Sequence, residues 1–365
     1  MYLKWEKTNL EPKAIIIMLV IIIAGYSLTL ATASETTREN FQQMKEAALL
    51  QQEITAEVRE LREELSFSIN KEKDINKTGF IGEEFTELST TRGQLEAKRT
   101  STNPDFAALT VDYLKNELEL EAGDRVAVGA SGSFPALLAA TVAAVEVLEL
   151  EADIIYSLGS SYYGANQRGF TMVEIMDHLQ QQELITTEIL ALSIGGGGDI
   201  GQGMLLDPKE LKADYSDDYN FIYEEDIADN IARRRDFYIK ANTNEEKTKE
   251  KPGVFINIGG NIVNYGSELW DNGLLKPADF TDESTNRGDS LIASFLEKDI
   301  PVINFLNIND LAEEQGIEID PQPLPDPGES ELYYQVVYSR FIPLVTVILI
   351  LTVGGIYKGG DIFNG

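Results

Sequence analysis

Polar positions vanish from two stretches at opposite ends of the chain. The run "AIIIMLVIIIAGYSLTLATA", residues 14–33, is uncharged over about 20 residues, enough for a helix to cross a bilayer. A second uncharged run, "FIPLVTVILILTVGGIY", covers 341–357, with Tyr333, Tyr334, Tyr338 and Tyr357 beside it like an interfacial belt. The pattern predicts a transmembrane helix at each end. Lys4, Lys7 and Lys13 place residues 1–13 in the cytoplasm by the positive-inside tendency. Two spans then make a multi-pass cell-membrane protein whose central region is extracytoplasmic. Ala31-Thr32-Ala33 also fits a signal-peptide cleavage site, so cleavage after Ala33 is the alternative to an uncleaved anchor.

Between the ends the periodicity changes twice. Phe41, Met44, Ala47, Leu50, Ile54, Val58, Leu61 and Leu65 recur at spacings of three and four, one stripe of a long helix. Residues 34–75 therefore read as a helical stalk, either continuing the first span or lying on the domain that follows. Over 76–319 short apolar runs alternate with Gly-rich loops and helical segments: "RVAVGASGS", "ADIIYSLGSSYYGAN", "EILALSIGGGGDIGQG", "GVFINIGGN" and "IPVINFLNIND". Strands apolar on both faces, alternating with helices, predict an α/β fold with a doubly wound, Rossmann-like, mostly parallel sheet. Asn103-Pro104-Asp105 marks a helix start, and Pro135 fits the first turn of another. Arg233-Arg234-Arg235, among Asp226, Asp229 and Asp236, reads as a solvated salt-bridged helix face. "DPQPLPDPGES" (320–330) reads as a Pro-rich linker, followed by an interfacial segment at 331–340 and, after the second span, a tail at 358–365.

Charge and composition narrow the chemistry. A formal charge of −31 over 365 residues excludes general nucleic-acid binding, which needs clustered basic residues. It fits a saline setting or a surface that repels other anions. The chain has no Cys, which removes disulfides and Cys-ligated metals, and His178 is its sole histidine, set in an amphipathic helix pattern. A Ser-His-Asp triad and a multi-His metal site are therefore disfavoured, and neither metal nor cofactor is expected.

A doubly wound sheet collects its strand-to-helix loops along one edge. That edge would gather Ser131, Gly132 and Ser133 with Ser160, Gly196, Gly197, Asp199, Asn257, Gly260 and Asn261. Loop amides laid bare by glycine, beside a helix start, suit a carboxylate or phosphate. The competing reading is that the glycines serve only tight turns and the serines cap helices. Neither a dinucleotide fingerprint nor a P-loop is present, and "GASGS" has Ser133 where G-x-S-x-G needs its second Gly. With one histidine in the chain, a serine nucleophile needs lysine as its base, which pairs Ser131 with Lys98. Lys98 and Arg99 also read as counter-charge for an anionic ligand, or as a surface pair balancing Glu96.

Five segments in order, "TGFIGEEFTELSTTRGQLEAKRTSTNPDFAAL", "GDRVAVGASGSFPAL", "SLGSSYYGANQRGFTMVEI", "LSIGGGGDIG" and "VFINIGGN", together resemble the poly-γ-glutamate system protein family over roughly residues 75–310. The resemblance implies a membrane accessory component of poly-γ-glutamate synthesis or export, with the polymer chain and the membrane synthase or export subunits as partners. It assigns no catalytic residue. An alternative from another class is an extracytoplasmic Ser-Lys γ-glutamyl amide hydrolase or transferase that processes the polymer. A third, a cytoplasmic nucleotide-binding domain, is weakened by the missing P-loop.

Overall fold

A computed structural model describes residues 11–240, 251–267, 269–280 and 289–359. They divide into two compact units: Glu39–Tyr333, and the two chain ends up to Arg38 and from Tyr334 onward.

The chain begins with α1 (Pro12–Ala31) and β1 (Ser34–Thr37), then enters the larger unit at α2 (Phe41–Glu64). A short strand, β2 (Ser89–Thr91), precedes α3 (Leu95–Thr100) and α4 (Asp105–Val111). The helix starts one residue later than expected, with Pro104 in the cap position, while Asn103 Oδ1 accepts from the Asp105 amide at 3.0 Å. β3 (Arg125–Ser131) is buried along its whole length, and α5 (Pro135–Val147) opens on Pro135. Next come β4 (Glu151–Ser157), β5 (Ser160–Ser161), α6 (Met172–Gln181), β6 (Ile189–Ser193), α7 (Pro208–Tyr215) and β7 (Phe221–Ile222). α8 (Ile227–Lys240), β8 (Val254–Ile258), α9 (Ile262–Tyr265) and β9 (Gly273–Leu275) follow. α10 (Leu291–Leu296), β10 (Val302–Phe305) and α11 (Ile308–Gln315) complete the larger unit, before β11 (Tyr334–Val337) and α12 (Phe341–Gly359).

Among the described residues, seven strands form one sheet in the order β7-β6-β4-β3-β8-β10-β9. All pairings are parallel except that of β9 with β10 at one edge. The chain steps outward from β3 to β7, then returns to the other flank of β3 at β8. Strand order reverses between β3 and β8, so the loops leaving these two strands flank a crevice at the carboxyl edge.

Both faces of the sheet are covered. Ala127, Ile155, Ala191, Phe255 and Val302 point to one face, where they pack with Ile231, Tyr238, Val263, Leu291 and Phe295 from α8, α9 and α10. Alternation sends the intervening Val126, Val128, Ile256 and Ile303, equally buried, to the other face. α5 is apolar all round and buried from Pro135 to Val145, so it needs an outer layer, and α2 and α4 pack on it to supply one. The stripe on α2 is spent there: Met44, Ala47, Ile54, Val58 and Leu61 are buried. Residues 41–64 are thus a layer of the α/β unit and not a free stalk.

The Pro-rich segment also departs from the linker expectation. Pro321 accepts from Asn76 Nδ2 at 2.8 Å, Asp320 pairs with Arg99, and Gly328 lies against Phe41 and Lys45. Tyr333, fully buried, donates to Asp105 Oδ1 at 2.9 Å. Proline stiffness here fixes a strap on the surface, because fixed φ angles reduce the entropy lost on docking.

The terminal unit is built from both chain ends. β1 pairs antiparallel with β11, Ser34 opposite Val337 and Thr37 opposite Tyr334. α1 packs on α12, and a Cβ at Gly25 would collide with Thr346 Oγ1, so the helices approach closely at a residue that lacks one. α1 is long and apolar enough to cross a membrane; the apolar stretch of α12, Phe341–Tyr357, is shorter. The cytoplasmic tail expected around Lys4 and Lys7, and residues 360–365 of the C-terminal tail, lie outside the described residues.

Candidate functional site

A cavity of about 500 Å³ opens at the carboxyl edge of the sheet, at the crevice between β3 and β8. Ser131, Ser133 and Phe134 line it after β3, Gly159 and Ser161 after β4, Gly195 to Gly197 after β6, and Gly260 and Asn261 after β8. Ala97 and Lys98 of α3 close it from the side, with Arg92, Gly93 and Gln94 before them. Among the described residues, no backbone carbonyl accepts from the amides of Ser133, Phe134, Gly260 or Asn261. Of the residues expected at this edge, Ser131, Ser133, Gly196, Gly197, Gly260, Asn261 and Lys98 do meet in one cavity.

The others stand behind its wall or away from it. The Gly132 amide donates to Ser157 O at 2.9 Å, and its carbonyl accepts from Ser160 Oγ at 2.8 Å, so these two brace the loop from outside the cavity. Asn257 Nδ2 donates to Gly259 O at 3.0 Å and Asn304 Oδ1 at 2.8 Å, tying the loop after β8 to β10. Asp199 lies fully buried under the floor. Arg99 is a clear departure from the expected Lys98–Arg99 clamp: its Nε donates to Asp320 Oδ1 at 2.6 Å and it does not line the cavity. Successive helical residues point about 100° apart, and here the step turns Arg99 from the cavity to Asp320.

Beneath the cavity runs a buried polar network centred on Arg234, fully buried on α8. Its guanidinium donates to Asp199 Oδ2 and Ser193 Oγ at 2.6 Å each and to Asn230 Oδ1 at 3.0 Å. Asp199 in turn accepts from the Gly195 amide at 3.1 Å, Asn261 Nδ2 at 2.9 Å and Asn230 Nδ2 at 3.0 Å. One ion pair thus holds the loops after β6 and β8 at fixed separation. The expectation of a solvated face at 233–235 fails at Arg234. The signal was present: Asn230, Arg234 and Tyr238 recur every four residues on one helix face that also carries Ile231.

Lys98 is the chemically distinctive group. It is 2% exposed, yet among the described residues no carboxylate pairs with its ammonium, and desolvation lowers its pKa from 10.5 to about 7. Its Nζ hydrogen-bonds the Ser133 carbonyl and Ser161 Oγ, the latter at 2.8 Å, and lies 3.7 Å from the centre of the Phe134 ring. The partner serine is therefore Ser161, not Ser131, whose Oγ instead reaches toward Ile258 O at 3.5 Å. β5 fixes this choice: Ser89 stands opposite Ser160 and Thr91 opposite Ser161, and adjacent strand residues face opposite ways. Gly93 makes room, since a Cβ there would lie 2.5 Å from Tyr162 O, 3.1 Å from Ser161 Oγ and 3.2 Å from Lys98 Cε. Arg92 is exposed at the rim and forms no ion pair with a described residue. His178 packs away from the site, its Nε2 3.2 Å from Glu57 on α2. No group of acidic or histidine side chains suited to a metal occurs among the described residues.

The class defined by fold and site is a doubly wound α/β unit with a polar cavity at its switch point, joined to an apolar helix able to span a membrane. In comparisons with known proteins, no protein family, no curated protein and no solved structure matches this chain.

Proposed function

We propose that the protein is a membrane-anchored accessory component of poly-γ-glutamate synthesis or export. In this reading its extracytoplasmic α/β unit holds a carboxylate-bearing γ-glutamyl chain end in the cavity at the carboxyl edge. The observation that carries the reading is the convergence there, on a buried lysine, of loop amides that donate to no described backbone carbonyl, inside a chain of net charge −31. The acidic body repels a polyanion in general, while the local donors favour a single carboxylate. α1 and α12 serve as a two-span hairpin, supported by their close contact at Gly25 and by the β1–β11 pairing beside it. Synthase or export subunits meet the protein through that hairpin.

The detergent-solubilised full chain is expected to bind γ-glutamyl oligomers in preference to neutral peptides of equal length, and more tightly below pH 7, where Lys98 carries its proton. Lys98→Met abolishes binding, whereas Arg99→Ala leaves it intact because Arg99 faces Asp320. Equal binding by Lys98→Met and the parent chain removes the basis of the reading.

A further inference from the structure

The hydrogen bond between Lys98 and Ser161 carries more than ligand binding. Among the described residues, Ser161 Oγ has no side-chain partner other than Lys98 Nζ, and it opens on the cavity. Its own amide donates to Ser133 Oγ at 3.1 Å, so the backbone of the serine is held while the hydroxyl stays available. The lysine is fixed from three sides: the Ser133 carbonyl, the Phe134 ring and the space left by Gly93. Of the charged groups around it, Arg99 of α3 is tied to Asp320, while Arg92 and Asp310 line the cavity mouth from the segments before α3 and within α11. None of them hydrogen-bonds Lys98.

We propose that Ser161 is a nucleophile and Lys98 its general base, forming an acyl-transfer site for amides of carboxylate-bearing substrates. Lys98 Nζ donates to Ser161 Oγ at 2.8 Å and to the Ser133 carbonyl; once the ammonium sheds its proton, the same contact lets the amine accept from the hydroxyl while one N–H stays on the carbonyl, the arrangement of an activated nucleophile. In the step, Ser161 Oγ bonds to the substrate carbonyl carbon and its proton passes to Lys98 Nζ. The tetrahedral adduct collapses with cleavage of the C–N bond, and the Lys98 ammonium returns the proton to the leaving amine. Water, or an acceptor amine, then attacks the acyl-Ser161 ester while Lys98 takes its proton; the bond from the acyl carbon to Ser161 Oγ breaks, and Lys98 returns the proton to that oxygen, restoring the pair. The identity of the substrate as a γ-glutamyl amide rests on the binding reading above; the nucleophile–base pair does not.

A fluorophosphonate probe, which carries no carboxylate, tests the pair on the full chain in detergent independently of the polymer. Attack by Ser161 displaces fluoride and leaves one phosphonyl group, visible by intact mass and mapped by peptide sequencing. The expected result is a single adduct at Ser161, absent in Ser161→Ala and formed about 100-fold more slowly in Lys98→Met. Lys98→Arg preserves the charge but cannot give up its proton, and loses labelling too, which a merely structural cation would not. The labelling rate climbs as pH passes about 7, opposite to the pH trend of anion binding. Thermal unfolding of each variant checks that it is folded. No adduct on the parent chain, an adduct at Ser131, labelling that survives Ser161→Ala, or an undiminished rate in Lys98→Met or Lys98→Arg overturns the proposal. Labelling without binding of γ-glutamyl oligomers leaves the pair standing and removes only the polymer.

Discussion

Two cations are buried around the same loops, and the protein treats them in opposite ways. Arg234 lies under the cavity floor with a carboxylate, a serine and an asparagine filling its donor directions. Lys98 lies in the wall with a carbonyl, a hydroxyl and a ring, and with no anion among the described residues. A guanidinium cannot shed its charge, so burial demands a partner; an amine can, so burial without one lowers its pKa instead. The first arrangement fixes geometry. The second leaves, in the wall of a cavity, a group that changes charge near neutral pH.

The largest expected effect comes from breaking the compensated pair. Arg234→Met strands Asp199 in the interior and should destabilise the larger unit by about 3–5 kcal/mol, seen as a large fall in Tm of the full chain in detergent. Adding Asp199→Asn to that variant should recover much of the loss, because the orphaned charge is gone.

The uncompensated cation predicts a pH signature in place of a fixed loss. Below about pH 7 the folded chain must keep an ammonium out of water. Between that value and 10.5 the folded chain sheds the proton while the unfolded chain still holds it. The unfolded state binds more protons across this window, so parent-chain stability rises with pH there. Lys98→Met lacks that rise. Its stability relative to the parent should be greatest below pH 7 and should decline steadily toward pH 10, as followed by denaturant unfolding at each pH.

A smaller effect is expected where backbone room matters. Gly93→Ala places a methyl against Tyr162 O and beside the Lys98–Ser161 pair, at a cost of about 1–3 kcal/mol, and should slow probe labelling more than it lowers Tm. Least of all, Arg168→Ala removes exposed pairs with Glu210 and Asp214 and should leave Tm nearly unchanged. A loss there as large as that for Arg234→Met would erase the contrast between buried and surface pairing.

Much of this framework is legible in the sequence. The runs around Val126–Val128, Ile154–Tyr156 and Val254–Ile258 carry no polar alternation, and a strand covered on both faces is the simplest structure that tolerates that. Parallel order then forces Ser131, Gly197 and Gly260 to one edge, where they are found. Single-residue choices were not readable. Ser160 and Ser161 differ by one position on a strand, and only the register against Ser89 and Thr91 decides which hydroxyl meets Lys98. Lys98 and Arg99 look alike in sequence, yet helix geometry turns one inward and the other to Asp320, more than two hundred residues along the chain. The docking of 320–333 had no local signal, since Pro-rich acidic composition describes a free linker equally well.

The chemistry of the cavity turns on the charge state of one amine. With ¹³C-labelled lysine in the full chain, the Lys98 side-chain resonance, assigned by its loss in Lys98→Met, should titrate with a midpoint near 7. A midpoint near the ordinary lysine value of 10.5 would mean that Lys98 stays charged at neutral pH, and Ser161 would have no base.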